Sequence, residues 1–145
     1  PLAQECKVCI AVEGVFGMTC RDYYTTRPLI DHYNSEYLGV NMDPSHDTLL
    51  RNDIPWIVKQ WGNKIKHVHL KDAIGVPGKP DDTFTFPLLG EGLIDWKAFT
   101  TALDSIGYDG YLSVEFESFR YLASVLQGDA ELAAKISAEA LKELL

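Results

Sequence analysis

The chain has 145 residues, a length that suits one domain rather than two. Hydrophobic residues make up 46% and charged residues 23%, a composition that folds and excludes intrinsic disorder. Lys and Arg total 13 against 21 Asp and Glu, a net charge of -8, which argues against a nucleic-acid partner because phosphate neutralisation supplies most of that affinity.

No apolar run reaches the roughly 18 residues of a membrane span, so no membrane partner is expected. The chain opens at Pro1, with no basic stretch and apolar core of a signal peptide behind it. The first apolar segment, Lys7 to Glu13, is rich in β-branched residues, closes at Gly14 and predicts a strand. Cys6 and Cys9 form a C-x-x-C there, but residues three apart on a strand point to opposite faces, so no redox pair is expected. With Cys20 they read as reduced thiols acting as small hydrophobes, in a reducing, cytoplasmic compartment.

A helix is predicted from about Pro28 to Tyr33, and a second strand from Leu38 to Asp43, stopped by Pro44. A turn around Thr48 to Leu50 precedes a helix from about Asp53 to Trp61, capped by Asp53, tolerant of Pro55 in its first turn and ended by Gly62. The third strand runs Ile65 to Lys71. The loop after it, Ala73 to Glu91, carries Gly75, Pro77, Gly78 and Pro80, and a loop that long is usually functional or mobile. The clearest helix follows: Asp95 caps it, Trp96, Phe99, Leu103 and Ile106 recur at helical spacing, and Gly107 stops it. A fourth strand runs Tyr111 to Glu117. The tail is predicted helical, with Asp129 as cap and Leu132, Ala133, Ile136, Ala140, Leu141 and Leu144 as one apolar stripe. Strand alternating with helix four times predicts parallel strands joined by crossovers.

The faces of these strands carry the functional reading. At period two, Val8, Ile10 and Val12 share a face, as do Leu38, Val40 and Met42, then Val68 and Leu70, then Leu112, Val114 and Phe116. The opposite face is small or polar and leads to an ionisable residue near each C-terminal end: Glu13, Asp43, His69 and Glu115. An open sandwich would bury apolar residues on both faces of a central sheet, whereas a polar second face suits the inside of a (β/α) barrel with its chemistry at the C-terminal rim. Three carboxylates held together raise each other's pKa, and a divalent cation removes that conflict. Three oxygens and one nitrogen suit Mn²⁺, Mg²⁺ or Co²⁺, with Zn²⁺ also possible; no Cys falls at the rim.

These residues resemble the C-terminal half of the xylose isomerase-like barrels, the sugar phosphate isomerase/epimerase group, over nearly the whole chain. The specific pieces are Asp43-Pro44-Ser45-His46, His67-Val68-His69-Leu70-Lys71-Asp72, Gly90-Glu91-Gly92 with Ile94-Asp95-Trp96, and Gly107-Tyr108-Asp109-Gly110 before Ser113-Val114-Glu115. The resemblance implies one metal held by Glu13, Asp43, His69 and Glu115, with Glu13 and Glu115 also acting as acid and base on opposite faces of a sugar. It places His46 against substrate, and ketose epimerases carry an Arg where this chain has Gly75. The Lys71-Asp72 pair and Phe84-Thr85-Phe86-Pro87 look more like the inosose dehydratase branch. Lys71 is read as a substrate contact or a partner of Glu117, Glu117 as orienting a ligand from behind, and His67 as a hydrogen-bonded residue one layer below His69.

A complete barrel needs about 250 residues and eight strands. Residues 1–145 supply four βα units in a single domain, so a fragment of a longer chain is expected, or a homo-oligomer in which a second copy supplies the missing half-barrel. The implied activity is isomerisation or epimerisation of a small-molecule sugar or sugar phosphate through a cis-enediolate. The alternatives are inosose dehydratase-like loss of water and an inactive half-barrel. The apurinic-site endonucleases share this fold, but they need extra His ligands and a basic groove, against 4 His and a charge of -8 here.

Overall fold

The computed structural model describes residues 1–77 and 83–144, so Gly78 and Pro80 of the long loop lie outside the described residues. Four parallel strands, β1 (Ile10–Glu13), β2 (Leu38–Met42), β3 (Ile65–Leu70) and β4 (Leu112–Val114), lie side by side in chain order. Each crossover carries a helix, which gives half of a (β/α) barrel. The helices are α1 (Leu2–Cys6), α2 (Tyr23–Tyr33), α3 (Pro44–Leu49), α4 (Ile54–Trp61), α5 (Trp96–Ser105), α6 (Phe119–Ser124) and α7 (Ala130–Leu144). None of the described helices is long and apolar enough to cross a membrane.

The core lies on the outer face of the sheet. Val40 and Met42 of β2 and Val68 and Leu70 of β3 pack against Ile57, Val58 and Trp61 of α4 and Phe99 and Leu103 of α5. Ile65 joins them because of a bulge: Val40 pairs with Ile65 but Asn41 pairs with His67, so one extra residue, Lys66, is spent on β3. The register beyond the bulge sets Glu13 beside Asn41, Asn41 beside His67, and His69 beside Ser113, all on the inner face.

Several element boundaries differ from the sequence reading. The first strand starts at Ile10 rather than Lys7, because residues 2–6 close a helical turn that ends at Lys7 in the left-handed region, φ 54°. Cys6 therefore sits on a helix and Cys9 just before β1, both exposed and unpaired, with Cys20 half-buried. α2 begins at Tyr23, five residues before Pro28. Asp22 accepts from the Thr25 N–H at 2.8 Å while Thr25 accepts from the Asp22 N–H at 3.1 Å, and this reciprocal cap starts the helix early enough to absorb Pro28. The segment after β2 is a helix, α3, rather than a turn. β4 is three residues long, although the Glu115 N–H still donates to the Leu70 carbonyl at 3.1 Å and continues the ladder one rung. α6 lies where the sequence predicts no element, and Leu132, a member of the apolar stripe of α7, is 41% exposed.

Candidate metal centre

Asp43 follows β2 directly, and local chemistry fixes its side chain. It caps α3: Oδ1 accepts from the Ser45 N–H at 2.8 Å, and Pro44 at the first helical position needs no donor. One carboxylate oxygen is thereby occupied and the other, Oδ2, is turned inward. Glu13 ends β1, where its Oε2 accepts from Asn41 Nδ2 of the neighbouring strand at 3.3 Å. His69 stands on β3 between the two glutamates, with Nδ1 3.5 Å from Glu13 Oε1 and 3.4 Å from Glu115 Oε2. One ligand atom from each of Glu13, Asp43, His69 and Glu115 lies within 4.8 Å of the others. Metal–ligand bonds of about 2.0–2.2 Å place donor atoms roughly 3–4 Å apart around one ion, so the spacing suits a shared cation. His69 Nδ1 is also buried without a hydrogen-bond partner, a state that a bound cation relieves.

His46 and Lys71 are drawn into this cluster. His46 is 4% exposed, and its Nε2 lies 3.6 Å from Glu13 Oε1 and 3.5 Å from Asp43 Oδ2. Lys71, 3% exposed, meets Asp43 Oδ2 at 3.0 Å, Glu115 Oε2 at 2.5 Å and Glu117 Oε2 at 2.7 Å. His67 lies beside His69 with ring centroids 5.5 Å apart. The charges follow from this packing. Burial raises the Glu13 carboxyl, but the His46 hydrogen bond and the His69 and Lys71 charges outweigh it and hold the group at about 2. Asp43 is more deeply buried, and desolvation pushes its carboxyl up against the pull of Lys71 and His46. Burial works against the Lys71 charge too, yet Asp43, Glu115 and Glu117 together hold its ammonium above the ordinary lysine range.

The long loop forms the wall of the rim. Ile74 and Thr85 exchange backbone hydrogen bonds of 3.0 and 2.9 Å, which folds the loop back on itself. That brings Phe84 to Phe16 and Phe86 to His46, with ring centroids 5.0 and 5.8 Å apart. Asp72 anchors the loop's far end. Its buried carboxylate accepts from the N–H groups of Ala73, Gly90, Gly92 and Ile94 and from Trp96 Nε1, at 2.9 to 3.3 Å. A Cβ at Gly92 would collide with that carboxylate, which explains the glycine. Asp72 and Phe16 were missed as site-shaping residues. The Gly-Glu-Gly run and the buried-acid position one residue past Lys71 were the only signals for Asp72, and Phe16 had none.

Parallel strands in sequential order, an apolar face under helices and an ionisable C-terminal rim define half of a (β/α) barrel with a candidate metal site at its rim. The family described as Xylose isomerase-like TIM barrel matches residues 1–144, and the chain belongs to it. It is similar to inosose dehydratase of Clostridium perfringens, 30% identical over an alignment 112 positions long that covers 68% of this chain and 37% of that protein. Among solved structures it matches the IOLI protein with a bound zinc atom at a TM-score of 0.76 and 24% identity, covering 99% of this chain and 52% of that one. A xylose isomerase domain protein from Planctomyces limnophilus matches at 0.66 and 26%, covering 94% and 49%. The chain thus spans little more than a third of that curated relative and about half of the solved chains.

Proposed function

We propose that this chain is the metal-holding half of an enzyme that acts on a sugar or sugar-like carbonyl compound. The convergence of Glu13, Asp43, His69 and Glu115 within 4.8 Å carries the proposal. The donor set suits one Mn²⁺, Mg²⁺ or Co²⁺, and Zn²⁺ is compatible with it. When bound, the ion supplies stabilisation of negative charge on substrate oxygen. Glu13 and Glu115 come from the two outer strands and flank His69, so they reach a substrate from opposite sides. Glu13, held at about 2, is ionised at neutral pH, the state a base requires. A carboxylate that acidic is a weak base, so the proton it takes must be acidified by an adjacent carbonyl. Removing that proton leaves a cis-enediolate; returning it to the neighbouring carbon isomerises, and returning it to the opposite face epimerises. Each such transfer is worth about 10²- to 10⁴-fold. His46 and Lys71 serve as donors to substrate oxygens; Glu117 holds Lys71 from behind at 2.7 Å, and His67 lies beside the ligand His69.

A second outcome, loss of hydroxide after proton removal, is favoured by the similarity to inosose dehydratase. It is also favoured at Gly75, where the resembling ketose epimerases carry Arg. Gly75 has φ +107°, and a Cβ there would strike the Thr83 carbonyl, so this loop excludes an arginine at that position. The remaining four strands, from a longer chain or a second copy, close the barrel against the edges at β1 and β4. Those edges leave Val8, Ile10 and Tyr111 exposed at 56%, 53% and 84%.

The test is a Mn²⁺ titration of the chain, then incubation with ketoses and inososes in deuterated water. One bound Mn²⁺, lost in His69→Ala, is expected, and absence of binding overturns the metal centre. Deuterium at the carbon next to the carbonyl, abolished by both Glu13→Gln and Glu115→Gln, supports the acid–base pair. In a parallel incubation in ordinary water, a new product of unchanged mass marks isomerisation or epimerisation, and one lighter by one water marks dehydration. Metal without exchange assigns an inactive half-barrel.

A further inference from the structure

The cluster holds four carboxylates, Glu13, Asp43, Glu115 and Glu117, around one fully engaged lysine. Lys71 does not sit at the margin of this group. Its ammonium contacts Asp43 Oδ2 at 3.0 Å and Glu115 Oε2 at 2.5 Å. These are the oxygens turned toward the histidines: Asp43 Oδ2 lies 3.5 Å from His46, and Glu115 Oε2 lies 3.4 Å from His69. The third contact, Glu117 Oε2 at 2.7 Å, is to a carboxylate outside the four-ligand set. The Asp43 side chain is wholly buried, and an ionised carboxylate in that position needs a cation beside it.

We infer that Lys71 is a built-in counter-cation that occupies the metal-facing oxygens of Asp43 and Glu115 and thereby sets the affinity of the site for a divalent ion. The inference rests on the metal reading above and goes beyond it. Lys71 and the ion draw on the same two oxygens, and their positive charges repel across a half-dry site. When the ion enters, Lys71 gives up those two oxygens and keeps Glu117, which is placed to receive it. The charge arithmetic permits both cations: four carboxylates at -1 each, one lysine at +1 and one ion at +2 leave a single net negative charge. Without Lys71 the same four carboxylates face the ion alone and hold it more tightly.

The experiment measures free Mn²⁺ by its electron paramagnetic resonance signal against the full chain and its variants. Lys71→Met is expected to bind Mn²⁺ about tenfold tighter or more, and Lys71→Arg, which keeps the charge, within about threefold of the parent chain. Equal or weaker binding by Lys71→Met, with Mn²⁺ still bound by the parent and lost in His69→Ala, overturns this inference and leaves the metal centre standing. No binding by any of the chains overturns both. Because Lys71→Met leaves buried carboxylates unpaired and can unfold, a second measurement uses the parent chain. The Lys71 side-chain ammonium resonance is followed as diamagnetic Zn²⁺ is added. A shift that saturates with one equivalent supports displacement; an unmoved resonance at saturation overturns it.

Discussion

The two faces of the sheet are built from alternate residues of the same strands, yet they do different work. On the outer face Val40, Met42, Val68 and Leu70 are at most 3% exposed and pack into one apolar cluster. On the inner face the side chains of Glu13, His69 and Glu115 stay 23–31% exposed and meet charges rather than hydrocarbon. Burial of the first kind is non-directional and stabilises roughly in proportion to area, at about 25 cal/mol per Å². The second kind gathers groups that repel or lie unpaired, which costs stability and creates a place for a cation. A period of two therefore lets one short strand pay toward the fold and hold the chemistry.

The largest expected effect comes from the outer face. Phe99, fully buried against Trp96 and β3, should lose about 3–5 kcal/mol of stability as Phe99→Ala. Measured by denaturant titration, that loss should leave Mn²⁺ affinity unchanged under folding conditions; an affinity that falls with it would break the separation of the faces. Asp72 sits at the seam, one residue past Lys71, and binds the loop instead of the rim. Asp72→Ala leaves five donors without their acceptor and should cost about 3 kcal/mol, read in the same titration. Protection of the Gly90 and Gly92 amides from hydrogen exchange should fall with it.

The smallest effect is a pH dependence. Asp47 is buried on α3, and desolvation pushes its carboxyl up to about 6, against its hydrogen bond from Asn52. A carboxyl raised in the folded state favours folding when protonated. The stability it adds therefore appears as pH falls through 6 toward 4 and is absent at pH 7. Glu13, held at about 2, acts in the opposite sense: its contribution is complete above pH 4.5 and is lost as pH falls toward 2. In chelator-treated protein, Asp47→Asn should flatten the gain between pH 7 and 4 and leave the acid limb in place. A curve with an unchanged slope in that window removes Asp47 from the account.

The parallel sense is readable from strand alternating with helix, and the ionisable strand tips from period-two alternation; both are local patterns. Asp53 and Asp95 were readable as caps for the same reason, each accepting from the N–H three residues on. The predicted start of α2 at Pro28 falls late because a proline reads as a boundary, whereas the Asp22-x-x-Thr25 box opens the helix at Tyr23. At α3 one dipeptide carries two signals: Asp43-Pro44 stops a strand, and it is also a cap followed by a favoured first helical residue.

What the sequence determined by itself was which residues share a face, since backbone pleat and helical pitch are properties of neighbours along the chain. Tertiary structure alone decided who meets whom across strands. The bulge at Lys66 sets the register of β3 against β2, the Ile74–Thr85 pairing carries Phe84 and Phe86 to the rim, and the shared pull of Asp43, Glu115 and Glu117 places Lys71. Those contacts join residues far apart in the chain, and their energies depend on distance and burial, which no local pattern encodes.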